Sequence, residues 1–531
     1  MKSLLNAASK FSLLACSITL LVIFWRSQDL MPMLLASVLL LSIPLYKLSS
    51  VAKQVKGNRK NAANKYLLSE QQLKHARMVA DPLADNTMQN ILGDWLQPMV
   101  DQPYNAAMHG TQWHAIACVN RQFEQWASNA DIANWPPEKN TLDPAIAAPL
   151  QAYLQASLAL PDWAEPAKIE RAETLFMEYG ALSCSLLFCS SLPECYVLPD
   201  LSAVLHAAGQ LERHTDHRIR ATAAMIFPVM MKGGLCQPDG SGVAQILKVR
   251  LIHASIRNLI LRGSPERAMA HFSQQIRTLQ LNDTGNLFHT LFTHGWNLER
   301  AGLPCNQTEL AYTLLTFGYV FLRSMRKLGL ALASEDEVAF LHLWNVVGHI
   351  LGIQRELMAD NMQQAEVLFR QMQALPSSEH ISPDPRPRLG QSLILSMEQV
   401  IPFAIFKAFP VLMTRYLCGK NNAQKIGVNQ RVSWLSHSLF ILFMLLVRSV
   451  DTAVRYFSPG FSISRFVTRV LGYHFMSKIL LDQTRPLKLP EQLLNQVQLT
   501  IGTWSTDPKT PRWMNTLETK MTKSGNWNQL E

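Results

Sequence analysis

The sequence predicts an all-α protein: a large helical domain preceded by an N-terminal two-helix membrane hairpin. Three observations predict it. Apolar residues recur at helical spacing through most of the chain, while strand-like alternation is scarce. Two uncharged apolar runs stand close together near the N-terminus. Of the 531 residues, 48% are apolar and only 17% charged, against about 25% charged in typical soluble domains, which points to a large core, a membrane, or both.

The hairpin comes first. Residues 11–25 (FSLLACSITLLVIFW) and 31–46 (MPMLLASVLLLSIPLY) carry no charge. Each is near the short limit for a spanning helix, about 17–25 residues. Lys10, Arg26 and Lys47 flank them and extend their effective length by snorkelling. Basic residues on the C-terminal side place both ends of the hairpin, and the main domain, in the cytoplasm. A lipoprotein reading fits less well, because only residues 11–15 precede Cys16 as an apolar run. Eight cysteines without a C-x-x-C pair exclude a disulfide scaffold, a zinc ribbon and a thioredoxin motif.

Charge is unevenly distributed. The chain's net +10 resolves into +2 for residues 1–46, +7 for 47–80, −9 for 81–400 and +10 for 401–531. A nucleic-acid partner is therefore not expected. Basic segments beside apolar ones suit anionic lipid instead. These shifts divide the chain into a transmembrane hairpin (1–47), a basic helical connector (48–80), a helical domain (81–400) and a basic, partly apolar helical C-terminal region (401–531).

The helices follow in order. Residues 57–80 read as a polar helix, broken at 81–85, with a new helix running to 95. Pro136, Pro137 and Pro144 mark a loop. Helices are expected over 166–188, 201–211 and 217–232, then breaks at Gly233-Gly234 and 238–242. Residues 243–262, 308–330, 335–351 and 360–375 read as helices and 376–387 as a loop. The apolar stretch 432–447, bounded by Arg431 and Arg448, reads as a helix lying in the cytoplasmic membrane interface.

Few residues suggest chemistry. In 243–262, Ile246, Val249, His253, Ile256 and Ile260 share one face, so His253 is the lone polar side chain in an aliphatic stripe. It is either a satisfied core histidine or a metal or haem ligand. Arg250 and Arg257 flank it. Arg218 and Thr222, four apart, share a helix face, where they suit a carboxylate or an oxygen species. His206, His214 and His217 offer a weaker non-haem metal site. His342 and His349 read as packing residues, and Cys184, Cys189 and Cys195 lack ligand spacing. Walker A, dinucleotide-binding and nucleophile-elbow motifs are absent.

An ordered set of segments resembles the ER-bound oxygenase mpaB and rubber oxygenase family, which includes the latex clearing proteins. These are Asp81-Pro-Leu-Ala-Asp85, LFMEYGALSCSLLFCSSLPECYVLP at 175–199, Arg218-x-x-x-Thr222, Gly233-Gly-Leu235, Val249-Arg-Leu-Ile-His253-Ala-Ser-Ile-Arg257, Asn306-Gln-Thr-Glu-Leu310 with Thr316-Phe317, and Leu343-Trp-Asn-Val-Val-Gly348-His-Ile-Leu-Gly352. The resemblance implies a globin-like core holding one haem b, with His253 as axial ligand and Arg218 and Thr222 on the distal side. Arg250 and Arg257 become candidate partners of the haem. It also implies O2-dependent oxidation of an isoprenoid or similar lipid.

Two departures separate this chain from the latex-cleaving members. Their lysine before the threonine is Ala221 here, and their candidate catalytic base falls near Ser202, with Glu194 and Asp200 nearby. The expectation is a membrane-anchored, haem b-dependent oxygenase that uses O2 on a lipophilic small molecule, with membrane lipid as partner. The other readings are a non-catalytic helical protein that binds lipid or a partner, and a non-haem di-metal enzyme.

Overall fold

The computed structural model describes residues 68–93, 115–116, 118–136, 142–207, 222, 225–262, 301–330, 332–375, 384–401 and 406–457. The hairpin, Arg218, His214 and His217 lie outside these residues. The described residues form helices and no strands. In order they are α1 (Glu70–Arg77), α2 (Pro82–Leu92), α3 (Asn129–Ala133), α4 (Pro144–Ser157), α5 (Pro166–Glu178), α6 (Gly180–Leu186), a π-helical turn (Leu187–Ser191), α7 (Leu192–Cys195), α8 (Pro199–Ala207) and α9 (Gly242–Arg262). After these come α10 (Gln307–Phe317), α11 (Tyr319–Leu328), α12 (Ser334–Ile350), α13 (Met362–Ala374), α14 (Arg386–Val400), α15 (Phe409–Cys418), α16 (Lys420–Lys425) and α17 (Trp434–Phe457).

Proline and its neighbours set several starts. Asp81 caps α2 by accepting from the Ala84 amide, with Pro82 in the first turn, and Asp143 and Pro144 do the same for α4. Proline's missing N–H costs nothing at a helix start. The breaks expected at 81–85 and at Pro144 are therefore helix starts. The helix expected over 166–188 is interrupted. Tyr179 leaves helical geometry (φ −98°, ψ 6°), and the chain bends by 90° between Pro166–Glu178 and Leu182–Cys195.

The core is aromatic where helices cross. Phe321 of α11 stacks on Phe340 of α12 at 4.7 Å and meets Phe176 of α5 at 6.2 Å. Tyr312 of α10 stacks on Phe369 of α13 at 4.9 Å, and Phe317 on Trp344 at 5.4 Å. Such pairs add about 0.5–1.5 kcal/mol each beyond the area they bury.

The π turn widens the helix and leaves carbonyls to be satisfied from outside. The Cys418 thiol approaches the Cys189 and Ser190 carbonyls at 3.7 and 3.6 Å, and Ser190 Oγ meets Ser324 Oγ at 2.6 Å. Next to the turn, the fully buried Glu194 accepts from Arg323 (2.5 Å), Gln373 (3.2 Å) and Asn422 (2.9 Å), tying α7 to α11, α13 and α16.

The chain divides into two compact units, and residues Ser438–Phe466 belong to a different one from Leu67–His437. Among the described residues no single helix is long and apolar enough to cross a membrane. Helix α17 begins where Ser433 Oγ accepts from the Ser436 amide at 3.1 Å. Its residues Ser436, Phe440 and Met444 are buried, a stripe one turn apart.

Candidate functional site

Helix α9 carries the predicted site, and its orientation differs from the aliphatic-stripe expectation. The residues it buries are Ala244, Leu247, Arg250, Leu251, Ala254, Arg257, Asn258 and Leu261. Ile246 and Ile260 are also buried, but Val249, His253 and Ile256 are half-buried, and the adjacent Ile252 is 38% exposed. The two arginines turn the helix. A buried charge is tolerated when paired and hydrogen-bonded, and both of these are.

Arg250 grips Asp81 with two bonds, Nε to Oδ2 at 2.5 Å and Nη2 to Oδ1 at 2.7 Å, and donates Nη1 to the Ile350 carbonyl at 3.0 Å. Its guanidinium also lies 5.9 Å from the Tyr153 ring, whose hydroxyl donates to the Leu247 carbonyl at 2.9 Å. Arg257, two turns on, pairs Nη1 with Asp85 and donates Nε and Nη2 to the Pro304 and Cys305 carbonyls at 2.8 and 2.7 Å.

Gln307, the first residue of α10, completes the junction. It donates to the Ala80 and Gly352 carbonyls at 2.6 and 2.8 Å and accepts from the Gln354 amide at 2.8 Å. Segments near residues 81–85, 250–257, 304–307 and 350–354 thus meet in one buried polar junction that seats α9. Asp81, Asp85 and Gln307 were not singled out from sequence. The signal was present: two acids one turn apart and two arginines two turns apart match as anchors.

The junction leaves no printed guanidinium nitrogen of Arg250 or Arg257 idle, so neither residue is placed to hold a cofactor carboxylate without giving up its partner. The half-buried His253 sits on the same rigid helix, beside exposed Ile252. This arrangement fits a single imidazole offered to the metal of a flat apolar cofactor. Thr222 is helical and half-buried. Its predicted companion Arg218 lies outside the described residues.

The carboxylates considered as bases are engaged elsewhere. Asp200 accepts from Arg77 at 3.0 Å, Glu194 is held as above, and Ser202 donates to the Tyr196 carbonyl at 3.0 Å. Glu173 accepts from the Gly233 amide at 2.9 Å and so braces the glycine loop. Burial pushes its pKa up to about 7.

Glu309, which the sequence reading passed over, is more unusual. It is 5% exposed, and neither carboxyl oxygen accepts a hydrogen bond. Burial, and then the Asp200 carboxylate, push its pKa up to about 8. Its place three residues after the capping Asn306 disguised it as an ordinary helix-start acid.

Cys184, Cys189 and Cys305 are free and buried, with burial raising each thiol to about 12, so they are poor nucleophiles. His342 accepts from the Glu165 amide at 2.9 Å, and both His342 and His349 lie edge-on to Trp163. Among the described residues no three histidine, cysteine or acidic side chains converge as a metal cluster. The di-metal alternative rested on His206, His214 and His217. The last two lie outside the described residues, as does the description of the His206 side chain.

Comparison with known proteins gives three likenesses. Residues 197–450 match the family model for the ER-bound oxygenase mpaB/B'/Rubber oxygenase catalytic domain. A rubber oxygenase from Streptomyces sp. (strain K30) is 23% identical over 275 residues, which cover 50% of this chain and 60% of that protein. The solved structure of latex clearing protein in the closed state is similar with a TM-score of 0.49 and 18% identity, covering 70% of this chain and 83% of that one.

Proposed function

Because the chain belongs to the ER-bound oxygenase mpaB/B' and rubber oxygenase family through its catalytic domain, we propose that it is a haem b-dependent oxygenase that uses O2 on a lipophilic, isoprenoid-like substrate. One observation carries the reading: His253 stands half-buried on a helix whose other side is locked by Arg250 and Arg257 to Asp81 and Asp85. A neutral imidazole is a common axial ligand of haem iron. When bound, the haem would supply O2 activation at its open coordination position.

The protein's share is positional. His253 would hold the iron from one side. Thr222, together with Arg218, would line the other side and donate hydrogen bonds to a polar oxygen there. Arg250 and Arg257 keep the helix in register and so fix the imidazole's height and direction. With Ala221 in place of a lysine, no side chain is expected to close onto the iron from that position. The hairpin at 11–25 and 31–46 would tether the domain to the cytoplasmic side of a membrane, next to a lipophilic substrate supply.

The test is the absorption spectrum of the purified full chain after haem supplementation, wild type against His253→Ala, followed by O2 uptake with isoprenoid oligomers. The reading expects a Soret band in the wild type and its loss in the variant, with the thermal midpoint nearly unchanged. A colourless wild type would overturn it. A Soret band that survives in His253→Ala would move the ligand elsewhere.

A further inference from the structure

The large apolar side chains exposed on this protein concentrate late in the chain. Trp434 is 80% exposed and Leu442 61%, and Leu435, Ile441 and Phe443 are each close to half exposed. All five lie on α17, where the buried stripe is only Ser436, Phe440 and Met444. A helix apolar on nearly every side does not face water by default.

Its length restricts what covers it. The apolar stretch Trp434–Leu445 is about 18 Å long at 1.5 Å per residue. That is well short of the roughly 30 Å hydrocarbon core of a bilayer. Arg448, Asp451 and Arg455 follow it in the same helix. The stretch is too short to cross and too apolar for water, which is the condition of a helix lying in the lipid interface.

Charge selects the occupant. In the preceding segment, Lys407, Lys420, Lys425 and Arg431 are exposed. The two acids of residues 384–437 are not: Asp384 and Glu398 are half-buried, and Asp384 is paired with Arg386 at 2.8 Å. Phe406 and Tyr416 are exposed in the same segment. Exposed cations interleaved with exposed aromatics fit a surface of anionic headgroups over apolar chains.

We propose that the start of α17, with the basic segment leading into it, binds the surface of an anionic lipid membrane, and that this contact is separate from any N-terminal anchor. It does not depend on the oxygenase reading, since haem binding and lipid contact are read by different signals.

The test uses the full chain reconstituted into vesicles of phosphatidylcholine, alone or mixed with phosphatidylglycerol, with bromine at shallow or deep acyl positions. Trp434 is isolated by subtracting the emission of Trp434→Phe from that of wild type. The expected result is quenching of the Trp434 signal, stronger by shallow than by deep bromine and stronger in phosphatidylglycerol. Leu442→Asp, and the combined reversal Lys420→Glu, Lys425→Glu and Arg431→Glu, should each lose that quenching while leaving the circular dichroism unchanged. High salt should weaken it in wild type. Trp434 emission untouched by bromine in either lipid would mean that protein covers the helix, and equal quenching in both lipids would remove the anionic preference. Either result overturns the proposal.

Discussion

Arg250 and Asp81, 169 residues apart in sequence, meet as a buried two-bond ion pair that seats α9. Removing one partner strands the other charge in the interior, which costs about 3–5 kcal/mol. Asp81→Ala should therefore lower the urea midpoint markedly. Asp81→Leu combined with Arg250→Met should recover most of the loss, because an apolar pair of similar volume is tolerated there. If the double variant were no more stable than the worse single one, the pair would be doing more than balancing charge.

Gly352 tests the same junction from the opposite side. Its φ is +80°, and a Cβ there would sit 2.7 Å from Arg250 Nη2 and 2.8 Å from Asp81 Oδ2. Gly352→Ala combines backbone strain with displacement of the ion pair, so a loss on the order of 1–3 kcal/mol is expected by thermal or urea unfolding. Gly348→Ala should cost less. Its close neighbours are the flexible ends of Leu314 and Met358, at 2.7 and 3.0 Å.

Glu309 predicts a pH dependence of stability. Its folded pKa, about 8, lies above its unfolded value near 4.5. The folded state therefore keeps a proton that the unfolded state releases between those values, and stability falls as pH rises through that window. Above the folded pKa the loss is complete. Glu309→Gln should melt higher than wild type near pH 8.5 and match it near pH 4. Parallel melting curves for the two proteins across that range would refute the assignment.

Arg257 separates positioning from cofactor contact. Arg257→Lys keeps the charge but cannot reproduce donation to Asp85, Pro304 and Cys305 at once. It should lower the thermal midpoint by several degrees. Haem retention, measured by transfer to apomyoglobin below the melting range, should change far less than in His253→Ala. Fast haem loss from a folded Arg257→Lys would instead assign Arg257 to the cofactor.

The helical class was readable because 3.6-residue periodicity needs only local pattern. The ordered motifs around Asp81, Arg250, Gln307 and Gly352 were readable as a set. The seat they build was not, because each segment alone shows an acid, a base or an amide of no special spacing. The orientation of α9 misled for a related reason. Periodicity treats arginine as a surface residue, so it assigned the core to the His253 face, whereas paired Arg250 and Arg257 occupy the interior. Prolines at 82, 144 and 387 looked like breaks because a sequence does not distinguish a helix end from a first turn. Glu309 was hidden by a plausible capping role that its buried, unbonded oxygens contradict.

The junction around Arg250 also orders events on the ribosome. Asp81 emerges long before Arg250, and Ile350 and Gly352 follow a further hundred residues later, so α9 cannot be finally seated until about two thirds of the chain has been made. Until then Asp81 and Arg250 must remain hydrated or find wrong partners, and contacts of such long sequence separation form slowly. Nascent chains halted before residue 350 should expose α9 to protease, and those released beyond it should protect it.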